Sequence, residues 1–238
     1  MSKAKNVLGV LAATVIMLVP LVAATINSKE AKKAIERLDD ARVVMDEIMK
    51  SGDSSIPESL LQKAYCVAVV PGVKSGGFIV GAKWGRGFLT CRGRDRMGWS
   101  APASIRIEGG SIGLQIGAGE TDVVLLVMNQ SGADKLMKSE FKVGGEASAM
   151  AGPVGRSVTA ETDAYMRAEM LSYSRSRGLF AGVSLSGSTL REDTDANKAL
   201  YGTPYSTVQI VRERKATMPA AANGLISILK RYSPAEEK

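Results

Sequence analysis

Tyr65-Cys-Val-Ala-Val-Val-Pro71 and Gly77-Phe-Ile-Val-Gly-Ala-Lys-Trp-Gly-Arg-Gly-Phe-Leu-Thr-Cys-Arg92, joined by Gly72-Val-Lys-Ser-Gly76, form the stretch on which the fold turns. Its apolar runs, Tyr65–Val70, Phe78–Ala82 and Phe88–Cys91, are separated by Pro71-Gly72, Gly76-Gly77, Gly85 and Gly87. Short runs of this composition, bounded by turn formers, predict consecutive antiparallel strands, because glycine and proline permit the reversals between them. The plainest reading is a β-meander inside a core. A second reading makes it a surface. Glycines stand beside large aromatics, with Arg86, Arg92, Arg94 and Arg96 at the same end, and glycine within a strand often marks a close approach.

Upstream, Ala31, Ala34, Ile35, Leu38, Ala41, Met45, Ile48 and Met49 recur at three- and four-residue steps, which predicts a helix from Ser28 to Met49 with Ser28 as its cap. Its polar face carries Lys29, Lys32, Lys33 and Arg37. Such a helix is either packed on the sheet with a solvated basic face or laid on a membrane surface, where basic faces opposite apolar ones bind anionic lipid. Ala34, Ile35 and Leu38 offer modest area for insertion. Glu58 to Lys63 reads as a helical turn leading into the first strand.

Downstream, Ser104–Glu108 and Ser111–Gly117 alternate cleanly around Gly109-Gly110 and predict a hairpin. Val123–Met128 is a continuous apolar run suited to a buried central strand. Ser131 to Lys138 predicts a short helix capped by Ser131, and Gly144 to Gly155 a connection. Ala164 to Ser174 is helical by composition yet alternates like a strand. Leu179–Leu185 predicts a strand, Asp193–Leu200 a short helix, and Thr207–Arg212 an edge strand. Met218 to Tyr232 predicts a terminal helix with Pro219 in its first turn. Many short strands without regular strand–helix alternation give an α+β fold: a single domain, mostly antiparallel β-sheet, with an N-terminal amphipathic helix and a C-terminal helix.

Composition removes many kinds of chemistry. The chain has 238 residues, a formal net charge of +7 and no histidine, so imidazole acid–base chemistry and His-dependent triads are excluded. Two cysteines cannot make a four-Cys metal site. Gly72-Val-Lys-Ser-Gly-Gly77 lacks the Gly-Lys-Ser/Thr ending of a phosphate loop. The carboxylates at Asp39-Asp40, Asp46-Glu47 and Glu192-Asp193…Asp195 fall in helical or turn contexts where solvation accounts for them. No enzyme activity, cofactor or metal is expected. The basic balance favours anionic partners, and no nucleic-acid reader motif is present.

Lys3 and Lys5 precede an apolar run from Val7 to Ala24 that ends in Val22-Ala23-Ala24, the small-residue pattern of a signal peptidase site. Met1–Ala24 is therefore expected to be a signal peptide or an uncleaved membrane anchor, placing the domain outside the cytosol, in the periplasm or envelope. Exported, Cys66 and Cys91 can oxidise; two buried thiols are the alternative.

Several motifs in one order resemble the SYLF domain family: Ile56-Pro57, an apolar run ending in Val70-Pro71, Gly85-Arg86-Gly87, and Trp99-Ser100 with Pro102. Ala151-Gly-Pro-Val-Gly155, Ser174-Arg-Ser-Arg-Gly-Leu-Phe-Ala-Gly182 and Asn197 with Tyr201-Gly202 continue it. The resemblance covers roughly Ser28 to Gly202, with the expected domain running to Tyr232, and it implies strand for Ala164–Ser174. It also implies a lipid-binding module, phosphoinositide-binding in eukaryotic members and actin-binding in yeast-type ones. Since the family's opening helix is implicated in lipid binding, Lys29, Lys32, Lys33 and Arg37 are the expected contacts with anionic phospholipid. Arg92, Arg94 and Arg96 form the competing site.

Overall fold

The computed structural model describes residues 29–77, 80–93, 98–112, 117–145, 148–155, 165, 167–176, 179–182, 185 and 187–234. The N-terminal apolar segment and the expected cap Ser28 lie outside them. No described helix is long and apolar enough to cross a membrane.

The deciding stretch forms two unbroken strands, β1 (Cys66–Gly77) and β2 (Val80–Cys91), where three short ones were expected. The glycines and proline are used differently from turn residues. Pro71 and Gly72 together stand opposite Asp122 alone, between the pairs Val70↔Val123 and Val73↔Thr121, so they form a β-bulge. Gly72 has φ +56°, and its N–H donates to Asp122 Oδ1 at 2.9 Å. Gly87 lies in mid-strand because the bulged backbone crosses it: a Cβ there would sit 2.1 Å from the Val69 carbonyl oxygen.

The expected hairpin at Gly109-Gly110 is likewise absent. Strand β3 (Ala103–Ile112) runs straight through both glycines, which pair with Lys83 and Ala82 of β2. Strand β4 (Gly117–Val127) then returns beside β1, giving the spatial order β3-β2-β1-β4 of a Greek key.

Further strands extend the sheet on both sides. They are β5 (Glu140–Lys142), β6 (Ala149–Ala151), β7 (Met170–Ser176), β8 (Leu179–Gly182) and β9 (Ser188–Glu192). The order is β5-β9-β3-β2-β1-β4-β7-β6, and β8 also pairs with β7. Among the described strands only the β6–β7 pair is parallel. The strand reading of Ala164–Ser174 starts too early, since Tyr165 and Arg167 are helical and β7 begins at Met170. Strand β6 interrupts the expected connection at Gly144–Gly155.

Helices cover one face. Helix α1 (Lys29–Lys50), α2 (Glu58–Lys63) and α6 (Asn223–Tyr232) bury Leu38, Met45, Ile48, Leu60 and Leu225 with Val67, Val69, Phe88, Leu126 and Tyr173 of the sheet. Residues of opposite parity, among them Ala68, Leu89, Ile107 and Leu125, point to an inner face. There the sheet curls until Phe141 and Leu190 from one end share a core with Met170 from the other. The remaining helices are α3 (Gln130–Leu136), α4 (Thr194–Tyr201) and α5 (Thr207–Val211). Helix α3 is capped by Asn129, whose side chain accepts from the Gly132 N–H, while the expected cap Ser131 donates to Glu169. The expected edge strand at Thr207 is helix α5, started by a capping box between Ser206 and Gln209. Helix α6 begins at Asn223, after a 3-10 turn at Ala220–Ala222.

Cys66 and Cys91 face each other at the open end of the β1–β2 pair, where β1 begins and β2 ends, and form a disulfide, S–S 2.08 Å. This settles the alternative that the sequence leaves open.

The bulge makes a stability prediction. Gly87→Ala forces a Cβ into backbone and should cost at least about 2 kcal/mol in urea unfolding. Gly76→Ala has nothing within 4 Å of its Cβ and should stay within about 0.5 kcal/mol of the parent.

Candidate functional site

Helix α1 turns its apolar side inward. Ala34 and Leu38 are fully buried and cannot insert into a bilayer, which corrects the insertion area expected from the sequence; Ile35, 38% exposed, remains available. Lys29, Lys32 and Lys33 are exposed. Lys33 pairs with Glu30 at 2.9 Å, and Glu30 reaches Arg86 of β2 at 3.6 Å. The first turn of α1 therefore abuts the outer surface of the sheet. Arg37 is half-buried and lines a different feature, the cleft described below. Burial holds its guanidinium below its ordinary value, with Arg86 adding to the shift.

On that outer surface the strand register places Arg86 opposite Arg106, and Arg106 opposite Arg191, with Glu140 next on β5. Like charges directly opposite one another are unfavourable. Carboxylates interleave with them: Asp193 lies 3.3 Å from Arg86, Glu108 lies 3.3 Å from Arg191, and Glu140 lies 2.9 Å from Arg191. The neighbouring row contains Lys74, Trp84, Glu108 and Thr189. Trp84 is 51% exposed, the most exposed large apolar side chain among the described residues. It stands between Ala82 and Arg86 on one side of β2, facing away from the inner core. The half-exposed indole thus shares the outer face with the row of three cross-strand arginines, and Arg86 links that row to the first turn of α1 through Glu30. Arg106 and Arg191 escape the sequence reading because strand register alone brings them beside Arg86.

Asp193 corrects the reading of its acidic cluster as solvated. It is 3% exposed, its Oδ1 accepts the Ala196 N–H at the start of α4, and its backbone N–H donates to the Ser104 carbonyl. Asn197 accepts the Ser104 N–H at 2.7 Å, and Tyr201 donates to the Pro102 carbonyl at 2.5 Å. Ser100 Oγ accepts the Cys91 N–H at 3.1 Å. Gly152 lies so close to the Tyr173 ring that a Cβ would approach it to 2.1 Å. These motif residues lock elements together.

A cleft of roughly 360 Å³ opens between α1 and the β1 bulge, lined by Arg37, Asp40, Glu120, Asp122 and Arg175 among others. Two of its charges, Asp122 and Arg175, are committed. Arg175 pairs with Asp122 at 2.6 Å and with Glu47 of α1, tying the bulge to the helix. Burial pushes the Asp122 carboxyl up, against the Gly72 N–H that lowers it. No group of three or more His, Cys, Asp or Glu among the described residues is arranged to hold a metal ion.

Arg92 is interior. It is 8% exposed, its guanidinium lies 4.7 Å from the Trp99 ring centroid, and it donates to the Ser233 carbonyl at 2.9 Å and to the Ser233 hydroxyl. A cation there satisfies carbonyls at the C-terminal end of α6. Arg94 and Arg96 lie outside the described residues. Arg92→Met should lower stability by about 3 kcal/mol in urea unfolding, because it removes charged hydrogen bonds and the stacked cation together. The folded variant should keep the partner affinity of the parent.

The family model Ysc84, described as "Las17-binding protein actin regulator", matches residues 108–232. An SH3 domain-containing protein of Schizosaccharomyces pombe is 33% identical over 204 residues, 84% of this chain and 46% of its own length. LAS seventeen-binding protein 3 of Saccharomyces cerevisiae is 34% identical over 206 residues, 84% of this chain and 43% of its own length. The human SH3 domain-containing YSC84-like protein 1 is 32% identical over 205 residues, 86% and 58%. The chain spans about half the length of these curated relatives. The match over residues 108–232 and the relatives at 32–34% identity place the chain, as its motif order from Ile56 to Gly202 predicts, in the Ysc84 (SYLF) domain family.

Proposed function

We propose that the protein is a non-enzymatic binding module that docks on an anionic phospholipid surface through Lys29, Lys32, Lys33, Trp84 and the row Arg86, Arg106 and Arg191. The observation that carries this reading is the half-exposed Trp84 set beside three arginines and next to the first turn of α1. Tryptophan favours the headgroup level of a bilayer, and lysine or arginine near an anionic surface contributes about 1 kcal/mol each. Arg37 and Arg92 are left out of the contact because cleft and core hold them. The Cys66–Cys91 disulfide supports an oxidising compartment, in keeping with export directed by Met1–Ala24.

The family description favours a second reading, an actin-regulating protein interaction. Sedimentation separates them. The parent should pellet with phosphatidylglycerol-containing vesicles in a salt-sensitive way and leave neutral phosphatidylcholine vesicles unbound. Replacing Lys29, Lys32 and Lys33 with glutamine should weaken binding about a hundredfold if contributions of about 1 kcal/mol add. Trp84→Ala should weaken it further, and an Arg94/Arg96 double glutamine variant tests the competing arginines. Pelleting with actin filaments but with neither vesicle would move the function to the second reading.

A further inference from the structure

We propose that the inner face of the sheet holds a binding site for a small amphiphile with a carboxylate head, of the size of a medium-chain fatty acid. The site is distinct from the outer docking face. It is a cavity of roughly 210 Å³ with an apolar floor of Val73, Ile107, Val123 and Leu185. Deeper on the same face, Leu89, Ile105 and Leu125 fill the space between strands. At the level of the cavity the wall changes to small or polar residues: Ser75 pairs with Lys83 and Lys83 with Gly109, while Ser174 stands opposite Val123. The core thins there, and the space stays open.

Lys83 gives the cavity its sign. It lines the wall, and among the described residues its ammonium has no side-chain hydrogen bond or salt bridge. An ammonium beside a floor of four aliphatic side chains favours a ligand with an apolar body and one negative end. The mouth of a curled β-sheet is a usual place for such pockets. A cavity of about 150 Å³ lined by aliphatic side chains holds benzene. The present one is somewhat larger, which suits an apolar body of about eight heavy atoms. Two-chain phospholipids do not fit inside it. A ligand of this size reaches a Kd on the order of 0.1 mM.

The test is isothermal titration of the full chain with octanoate and, as a neutral counterpart, 1-octanol. Saturable one-to-one binding of octanoate is expected. Lys83→Met should weaken octanoate about tenfold, the value of one lost charge-assisted contact, and leave octanol unchanged. Ser174→Phe fills the cavity and should abolish binding of both. If circular dichroism shows that variant unfolded, Thr121→Leu, at the rim on β4, takes its place. Absence of saturation by about 10 mM octanoate, roughly a hundred times the expected Kd, overturns the proposal. So does undiminished octanoate binding by Lys83→Met, or by a folded cavity-filled variant.

Discussion

The bulge at Pro71-Gly72 is the constraint on which the rest of this structure depends. It adds one residue to β1 relative to both neighbours, so the inward–outward alternation of the strand changes phase at that point. Before it, Ala68 and Val70 face inward and Val67 and Val69 meet the helices; after it, Val73 faces inward and Lys74 outward. The kinked backbone passes over Gly85 and Gly87, whose missing side chains leave room for it. Asp122 accepts the bulge N–H, Arg175 pairs with Asp122, and Glu47 of α1 meets Arg175. A local irregularity is thereby tied to the helix layer on the far side of the sheet.

The same logic explains why the motif residues shared with the family are largely interior. Asn197 and Tyr201 hold α4 to the segment entering β3, Ser100 closes the end of β2, and Gly152 makes way for Tyr173. Arg92 anchors the end of the chain. Each group satisfies buried polar atoms or permits a backbone approach that a different side chain would block. Such residues specify a fold. The exposed side chains Lys29, Lys32, Lys33 and Trp84 lie outside those motifs.

What could be read in advance followed from local periodicity. Helix α1, the turn Glu58–Lys63, the buried run in β4 and the apolar stripe of α6 were all legible, because each burial pattern is local to its own segment. Glycine was the recurrent source of error. At 72, 85, 87 and 109 it marks close packing or a bulge inside long strands, and a single sequence cannot distinguish that from a turn. The Thr207 segment failed for another reason: five residues carry too little periodicity to separate helix from strand, and the Ser206–Gln209 capping box decided it. Short strands β5 and β9 acquire meaning only through the pairing that puts Arg191 beside Arg106.

That pairing also divides the two candidate surfaces. Along β2, Trp84 and Arg86 face the solvent while Lys83 and Gly85 face inward, so one strand supplies an exposed indole to one side and a cavity-lining ammonium to the other. Their neighbours on β1 keep the same division only because the bulge reverses its phase, sending Lys74 outward and Val73 to the cavity floor. Without it, the inward alternation of Val70 would carry on to Lys74. The cavity would then gain a second charge in place of an aliphatic wall, and the outer face would lose a lysine beside Trp84. One inserted residue thus puts Val73 on the cavity floor and Lys74 on the outer face beside Trp84.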